Sequence, residues 1–147
     1  MNVTPCVVCR EINGEIDVPG GPIQSSALAL AVHIPPLDRG DVYVGHLLVV
    51  PRRHVADFAG LNEREASEIG VFIGRCSRAL RSVGAERVYV ATIGHSTDHL
   101  HVHLLPRWPD TPPDIPWHSV DDWAGARRVD FSHAASFVAE LTTESSG

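Results

Sequence analysis

Three histidines stand at every second position in His99-Leu100-His101-Val102-His103-Leu104-Leu105, three of the nine in a chain of 147 residues. Period two is that of an extended strand. The imidazoles therefore project from one face, while Leu100, Val102 and Leu104 turn to the other. Burial alone gives no reason for three ionisable rings on one side. Three readings fit these residue types. The face is a polar strand surface with satisfied histidines, or a catalytic metal site, since three imidazoles suit zinc. In the third reading one imidazole is a nucleophile and its neighbours hold the substrate's anion. A second group able to do chemistry is Cys6-Val7-Val8-Cys9, whose spacing serves a redox pair, a disulfide or half of a zinc site.

These residues need a scaffold. Ser25 to Ile34 reads as a strand through Ala27, Leu28, Leu30, Val32 and Ile34, stopped by Pro35-Pro36. Val42 to Val50 reads as a second, ended by Pro51. Asn62 with Glu65 three residues on forms a capping box. The helix it opens runs to about Val83, with Ile69, Phe72, Ile73, Cys76 and Leu80 along one face and Gly84 at its end. Cys76 on that face is a packing residue. Val88 to Ile93 and His99 to Leu105 read as two further strands that pair antiparallel across a short loop. After Pro106 the chain is proline-rich and irregular through Trp117, and a short helix is expected from about Ser132 to Leu141. Strands, one dominant helix and strands again predict an α+β fold with an antiparallel sheet.

The length predicts one domain over residues 1–147. With 44% apolar and 20% charged residues, the composition is that of a soluble globular protein. A net charge of −6 argues against broad nucleic-acid or acidic-membrane binding, yet permits a local His/Arg site for a small anion. No apolar run approaches a membrane span, the N-terminus has no signal-peptide pattern, and three cysteines do not make a disulfide framework. A cytoplasmic location is expected.

The His-x-His-x-His run followed by Leu104-Leu105 and Pro106-Arg107 resembles the signature of the histidine triad (HIT) family of nucleotide hydrolases and transferases. Upstream, Gly45-His46-Leu47-Leu48-Val49-Val50-Pro51-Arg52-Arg53-His54 is similar to the family's second block. Cys6-Val7-Val8-Cys9-Arg10 is similar to the N-terminal block of its zinc-bearing members. The resemblance covers about residues 6–108 and leaves 109–147 as a variable segment. It implies an antiparallel sheet of about five strands with one long central helix and a short C-terminal helix. It also implies a homodimer in which the long helix and a strand meet across a two-fold axis.

Carried over residue by residue, the resemblance makes His101 the nucleophile at the α-phosphorus of a purine nucleotide conjugate, such as a nucleoside phosphoramidate or dinucleoside polyphosphate. A nucleotidyl-imidazole would form and then be hydrolysed. His103 and His46 would donate to the phosphate oxygens, and Ser96 would bond the phosphate or leaving group. Cys6, Cys9, His54 and His99 would hold a structural Zn²⁺, so that His99 keeps metal while His101 does chemistry. Asp38 falls at the ribose-binding position, with Asp41 as its rival across a possible insertion. The base would lie against apolar side chains of the Ala27–Ile34 strand. The chain departs from the family at Gly94-His95-Ser96, where His95 stands for the usual Gln and either replaces its amide as a donor or alters the leaving-group preference. The family's usual asparagine ahead of that loop has no counterpart between Glu86 and His95. Trp108, Trp117 and Trp123 are left to line the leaving-group end or to be buried. Two readings of other classes remain beside this one: a nucleotide-binding regulatory protein with little turnover, and a metal-dependent hydrolase using the His triplet.

Overall fold

The computed structural model describes residues 6–144. The elements in chain order are α1 (Val7–Ile12), β1 (Gln24–Ser25), β2 (Ala29–His33), β3 (Val42–Tyr43), β4 (Leu47–Pro51), α2 (Glu63–Ser82), β5 (Arg87–Ala91), β6 (Val102–Arg107), β7 (Arg128–Val129) and α3 (Phe131–Glu144). Five strands form an antiparallel sheet in the order β1-β2-β4-β6-β5, and β3 pairs with β7 in a separate ribbon.

Helix α2 follows its sequence signals closely. Asn62 accepts from the Glu65 N–H at 2.9 Å and Glu65 returns a bond to the Asn62 N–H at 3.0 Å, which satisfies two of the donors a helix start leaves open. Its buried stripe of Ile69, Phe72, Cys76, Ala79 and Leu80 packs on the sheet face made by Ala29, Ala31, Leu47, Val49, Val102 and Leu104. Each large apolar side chain so buried contributes roughly 1.5–3 kcal/mol. The opposite face of β2 and β4 carries Leu30, Val32, Leu48 and Val50, which Val8 of α1 covers. Both faces of these two strands are therefore dry, which is why they read as continuous apolar runs.

Two expected strands are broken. The first divides at Ser26, whose hydroxyl accepts from the N–H groups of Leu28 and Ala29 at 3.2 Å and closes a turn between β1 and β2. The second divides at Gly45, with φ +89°, so that β3 and β4 belong to different sheets. A Cβ there would lie 2.8 Å from Pro106 Cγ and 3.1 Å from Trp108 Cζ2, so only glycine fits. The ordered strand carrying the triplet begins at Val102 and runs on to Arg107, so His99 and His101 precede it. From Leu100 onward burial alternates as the sequence predicts, with Leu100, Val102 and Leu104 inside, whereas His99 is itself fully buried. Helix α3 is longer than expected, and β7 was not expected at all. No helix among the described residues is long and apolar enough to cross a membrane.

Candidate active site and metal cluster

The β4–β6 register sets Leu48 opposite His103 and Val49 opposite Val102. Side chains of paired residues share a face, so His103 emerges away from α2, beside Leu48. His101 lies on the same side, its ring centroid 5.0 Å from that of His103. His101 Nδ1 sits 2.7 Å from the carbonyl oxygen of His99. A carbonyl can only accept, so Nδ1 carries the proton and Nε2 of the neutral ring keeps its lone pair. Thr92 donates its hydroxyl to the His101 carbonyl at 3.0 Å and fixes this backbone from β5's end.

His46 approaches from the neighbouring strand, its Nε2 at 2.8 Å from His103 Nδ1. Burial, then the charges of His103, His33 and Arg128, push the His46 imidazole down to about 3. Burial, followed by the charge of His101, also lowers His103, against an opposing pull from Asp121. Near pH 7 both rings are neutral, and their mutual hydrogen bond leaves one nitrogen of each for a ligand.

The segment that delivers His46 is held on several sides. Buried His33 accepts the Gly45 N–H on Nε2 at 3.0 Å and donates from Nδ1 to the Ile34 carbonyl at 2.7 Å. Tyr43 donates to the Pro106 carbonyl at 2.7 Å, and the buried Trp108 indole donates to Val44 at 3.2 Å. Chain beyond the triplet then closes on it. Arg128 pairs in register with Tyr43 and donates to Asp41 Oδ1 at 2.8 Å and to the Asp121 carbonyl at 3.0 Å. His33, Thr92, Tyr43 and Arg128 were not singled out from sequence. Each acts through a backbone group distant in the chain, and no local pattern marks that.

A second cluster gathers the four residues expected to bind metal. The ligand atoms of Cys6, Cys9, His54 and His99 all lie within 4.8 Å of one another. Cys9 Sγ is 3.4 Å from Nδ1 of both His54 and His99, and Cys6 Sγ is 3.6 Å from His99 Nδ1. Those separations match the edge of a tetrahedron with zinc–sulfur and zinc–nitrogen bonds of about 2.3 and 2.0 Å. His99 donates from Nε2 to the Pro51 carbonyl at 2.8 Å, which leaves Nδ1 unprotonated for a metal. The residues therefore fit a four-coordinate N/S site. His54 is aimed by its neighbours. Arg53 forms a two-pronged pair with buried Glu65, at 2.7 and 3.1 Å, and Arg52 bonds Ser26 and Ser25. The basic pair thus braces the turn and does not point to the histidine face.

The other expected site residues are less engaged. His95 and Ser96 are exposed on the loop between β5 and the triplet and make no hydrogen bond among the described residues. Asp38 is exposed in the turn after Pro35-Pro36, whereas the Asp41 carboxylate is taken by Arg128. Leu30, Val32, Leu48 and Val50, on the face expected to take a base, are buried beneath α1, with Val18 and Ile34 half-buried at their margin. Trp108 is interior, while Trp117 is 45% exposed.

An antiparallel sheet that presents alternating imidazoles beside an apolar wall, backed by one long helix, defines a histidine-triad type of protein. The HIT domain model matches residues 32–110, and the chain belongs to the HIT family. It is 29% identical over 107 residues to adenosine 5'-monophosphoramidase hnt1 of Schizosaccharomyces pombe, covering 69% of this chain and 74% of that protein. It is 32% identical over 71 residues to AP-4-A phosphorylase of Mycobacterium tuberculosis, covering 44% of this chain. The chain thus spans 36% of that relative's length. The fold is shared with a Zn-bound histidine triad family protein from Mycobacterium smegmatis, at a TM-score of 0.69 and 20% identity over 97% of this chain and 96% of the other.

Proposed function

We propose that the protein is a nucleotidyl hydrolase or transferase that uses His101 as its nucleophile. One observation carries this: the His101 Nδ1 proton is committed to the His99 carbonyl at 2.7 Å, so the unprotonated Nε2 is the nitrogen left to attack. The substrate is a purine nucleotide conjugate, a nucleoside phosphoramidate or a dinucleoside polyphosphate. The two relatives whose names carry activities, a monophosphoramidase and an AP-4-A phosphorylase, support that class.

His101 Nε2 bonds to the α-phosphorus while the phosphorus–leaving-group bond breaks, and the leaving group departs with the electron pair and takes a proton from solvent. Water then attacks the same phosphorus and returns a proton to solvent, the phosphorus–nitrogen bond breaks with its electron pair going to Nε2, and nucleoside monophosphate and neutral His101 are released. Two neutral rings that share one hydrogen bond keep a single free N–H between them, so one of His103 and His46 donates to the phosphoryl oxygens as charge builds on them and the other positions it through their shared bond. Ser96 and His95 serve the phosphate or leaving group from the loop. Asp38, whose carboxylate has no partner among the described residues, accepts from the ribose hydroxyls. The base lies against Val18 and Ile34, the half-buried margin of the Leu30, Val32, Leu48 and Val50 cluster. Cys6, Cys9, His54 and His99 hold a structural zinc ion that pins α1 to the sheet, and the protein acts as a homodimer.

The test is hydrolysis of adenosine phosphoramidate and diadenosine polyphosphates by wild type and His101→Asn, with rapid quenching and intact-mass analysis of the chain. The expected result is AMP release and a transient nucleotidyl adduct in wild type, with neither in the variant. Wild-type protein that binds AMP yet turns over nothing in this panel would instead be a nucleotide-binding protein.

A further inference from the structure

Helix α1 covers the outer face of β2 and β4 with a stripe that is apolar except at one position. At about 100° per residue, Val7, Glu11, Val8 and Ile12 fall in that order on one arc of about 140°, and Cys9 and Arg10 lie outside it. Val8 is buried in the cluster of Leu30, Val32, Leu48 and Val50, and Val7 and Ile12 pack against that cluster as Val18 and Ile34 do. Glu11 stands within the apolar arc and is half-buried. The same face leads to the histidines. Val32 is opposite Leu48 and Leu48 is opposite His103, so one row of roughly 10 Å runs from β2 to the His103 strand.

Nothing in the packing accounts for a carboxylate at this position. Arg10, its neighbour in sequence, is taken by Glu15 at 3.4 Å. Glu11 makes no side-chain hydrogen bond or ion pair among the described residues, and burial, with no cation to offset it, raises its carboxyl. An unpaired acid among apolar groups costs stability. Its oxygens are nevertheless within reach of a ligand, because the indole nitrogen of Trp123 is the one side-chain polar atom among the described residues that is both sealed from solvent and without a partner. A purine at the margin of this cluster lays its ring on Val18 and Ile34 and leaves its edge to polar groups. Guanine presents N1–H and N2–H side by side, two donors that match the two oxygens of a carboxylate. Adenine sets the lone pair of N1 beside N6–H, and that lone pair opposes the carboxylate.

We propose that Glu11 reads the edge of the base and that the protein thereby selects guanine over adenine nucleotides. The proposal rests on the reading of this face as the base site. Equilibrium binding of GMP, IMP and AMP at pH 8 to wild type, Glu11→Gln and Glu11→Leu tests it. Wild type is expected to bind GMP about tenfold or more tightly than AMP, since a hydrogen bond to a charged group is worth at least that factor. IMP, which keeps N1–H and lacks the 2-amino group, is expected between them. Glu11→Leu is expected to bind GMP and AMP within about twofold of each other, and Glu11→Gln, which keeps an acceptor and loses the charge, to show an intermediate preference. Glu11→Leu completes the apolar arc, so a melting temperature no lower than that of wild type is expected and reports that the variant folds. Equal affinities of wild type for GMP and AMP, or a GMP preference that survives in Glu11→Leu, overturn the role of Glu11. Binding needs no turnover. Wild type that prefers GMP yet hydrolyses neither guanosine nor adenosine phosphoramidate keeps the role of Glu11 and overturns His101 as nucleophile, whereas wild type that binds none of the three nucleotides overturns both.

Discussion

His33 and Gly45 are joined by a hydrogen bond from the glycine N–H to the imidazole Nε2 at 3.0 Å, and the other ring nitrogen donates to Ile34 at 2.7 Å. The ring is fully buried and burial lowers its pKa, so it works as a neutral spacer with both nitrogens used. Gly45 immediately precedes His46. His33→Phe keeps much of the volume but strands a buried N–H and a buried C=O. Each stranded group costs about 1–3 kcal/mol. The expected outcome is a urea midpoint shifted down by that order, with a further loss of turnover in molecules that remain folded. His33→Gln, which can both donate and accept, is expected to recover part of both. A His33→Phe protein of wild-type stability would mean that the spacer does not matter.

Metal removal should act on the N-terminal segment. Helix α1 has six residues, too few to persist in water unaided, and it is held by Val8 in the outer apolar cluster and by its two cysteines. Purified protein is expected to carry one zinc per chain by elemental analysis, and Cys6→Ser or Cys9→Ser to lose it. Chelation should lower the melting temperature and raise hydrogen exchange over residues 6–12. His101→Asn should keep its zinc while losing turnover, which separates a structural ion from a metal-dependent hydrolase. A Cys6→Ser protein with full zinc content would sink the assignment.

Much of the site is legible in the sequence because its signals are local. The alternation of His101 and His103 with Leu100, Val102 and Leu104 needs nothing beyond strand periodicity, and burial follows it, while His99 departs from it by being fully buried. Asn62 and Glu65 announce α2, and Cys76 lies on its buried stripe as expected. The break at Gly45 is different. Val42 to Val50 has the composition of one strand, and only the approach of Pro106 and Trp108 demands a left-handed residue there. The pairing of Tyr43 with Arg128 joins chain positions far apart, and a two-residue strand has no periodicity to read. The roles of His33 and Thr92 are set by backbone atoms of other elements, which composition and spacing cannot encode.

Arg53 and Glu65 tie the metal-ligating turn to the start of α2, and two substitutions should separate that tie from the helix cap. Asn62→Ala removes a cap side chain and is expected to cost about 1 kcal/mol in denaturant unfolding, with zinc content unchanged. Glu65→Ala removes the returning cap bond and the two-pronged anchor of Arg53, whose guanidinium holds the Glu65 carboxyl below its usual range. It is expected to weaken zinc retention against a competing chelator as well as stability, because His54 follows Arg53 directly. Equal zinc retention in the two variants would show that the anchor does not aim His54.

Stability should fall on acidification, and the sign follows from the buried imidazoles. His33, His46 and His103 all titrate below their ordinary value in the folded protein, His46 at about 3. The unfolded chain therefore binds protons on these rings at about pH 6.5, where the folded chain does not. Their contribution is complete above that pH and is lost progressively as the pH falls toward the folded values. Glu11 opposes them. Burial raises it from 4.5 to about 7, so it weakens the fold as the pH rises through that window. Three imidazoles against one carboxyl leave a net loss of stability from pH 7.5 to 5.5. Urea unfolding of zinc-loaded protein at both pH values measures this, with bound zinc determined in each sample. In His46→Gln the pH dependence should be visibly flatter, because the most strongly shifted ring is gone. An identical slope in that variant would mean that His46 is not held neutral by burial, and the neutral His46–His103 pair would lose its physical basis.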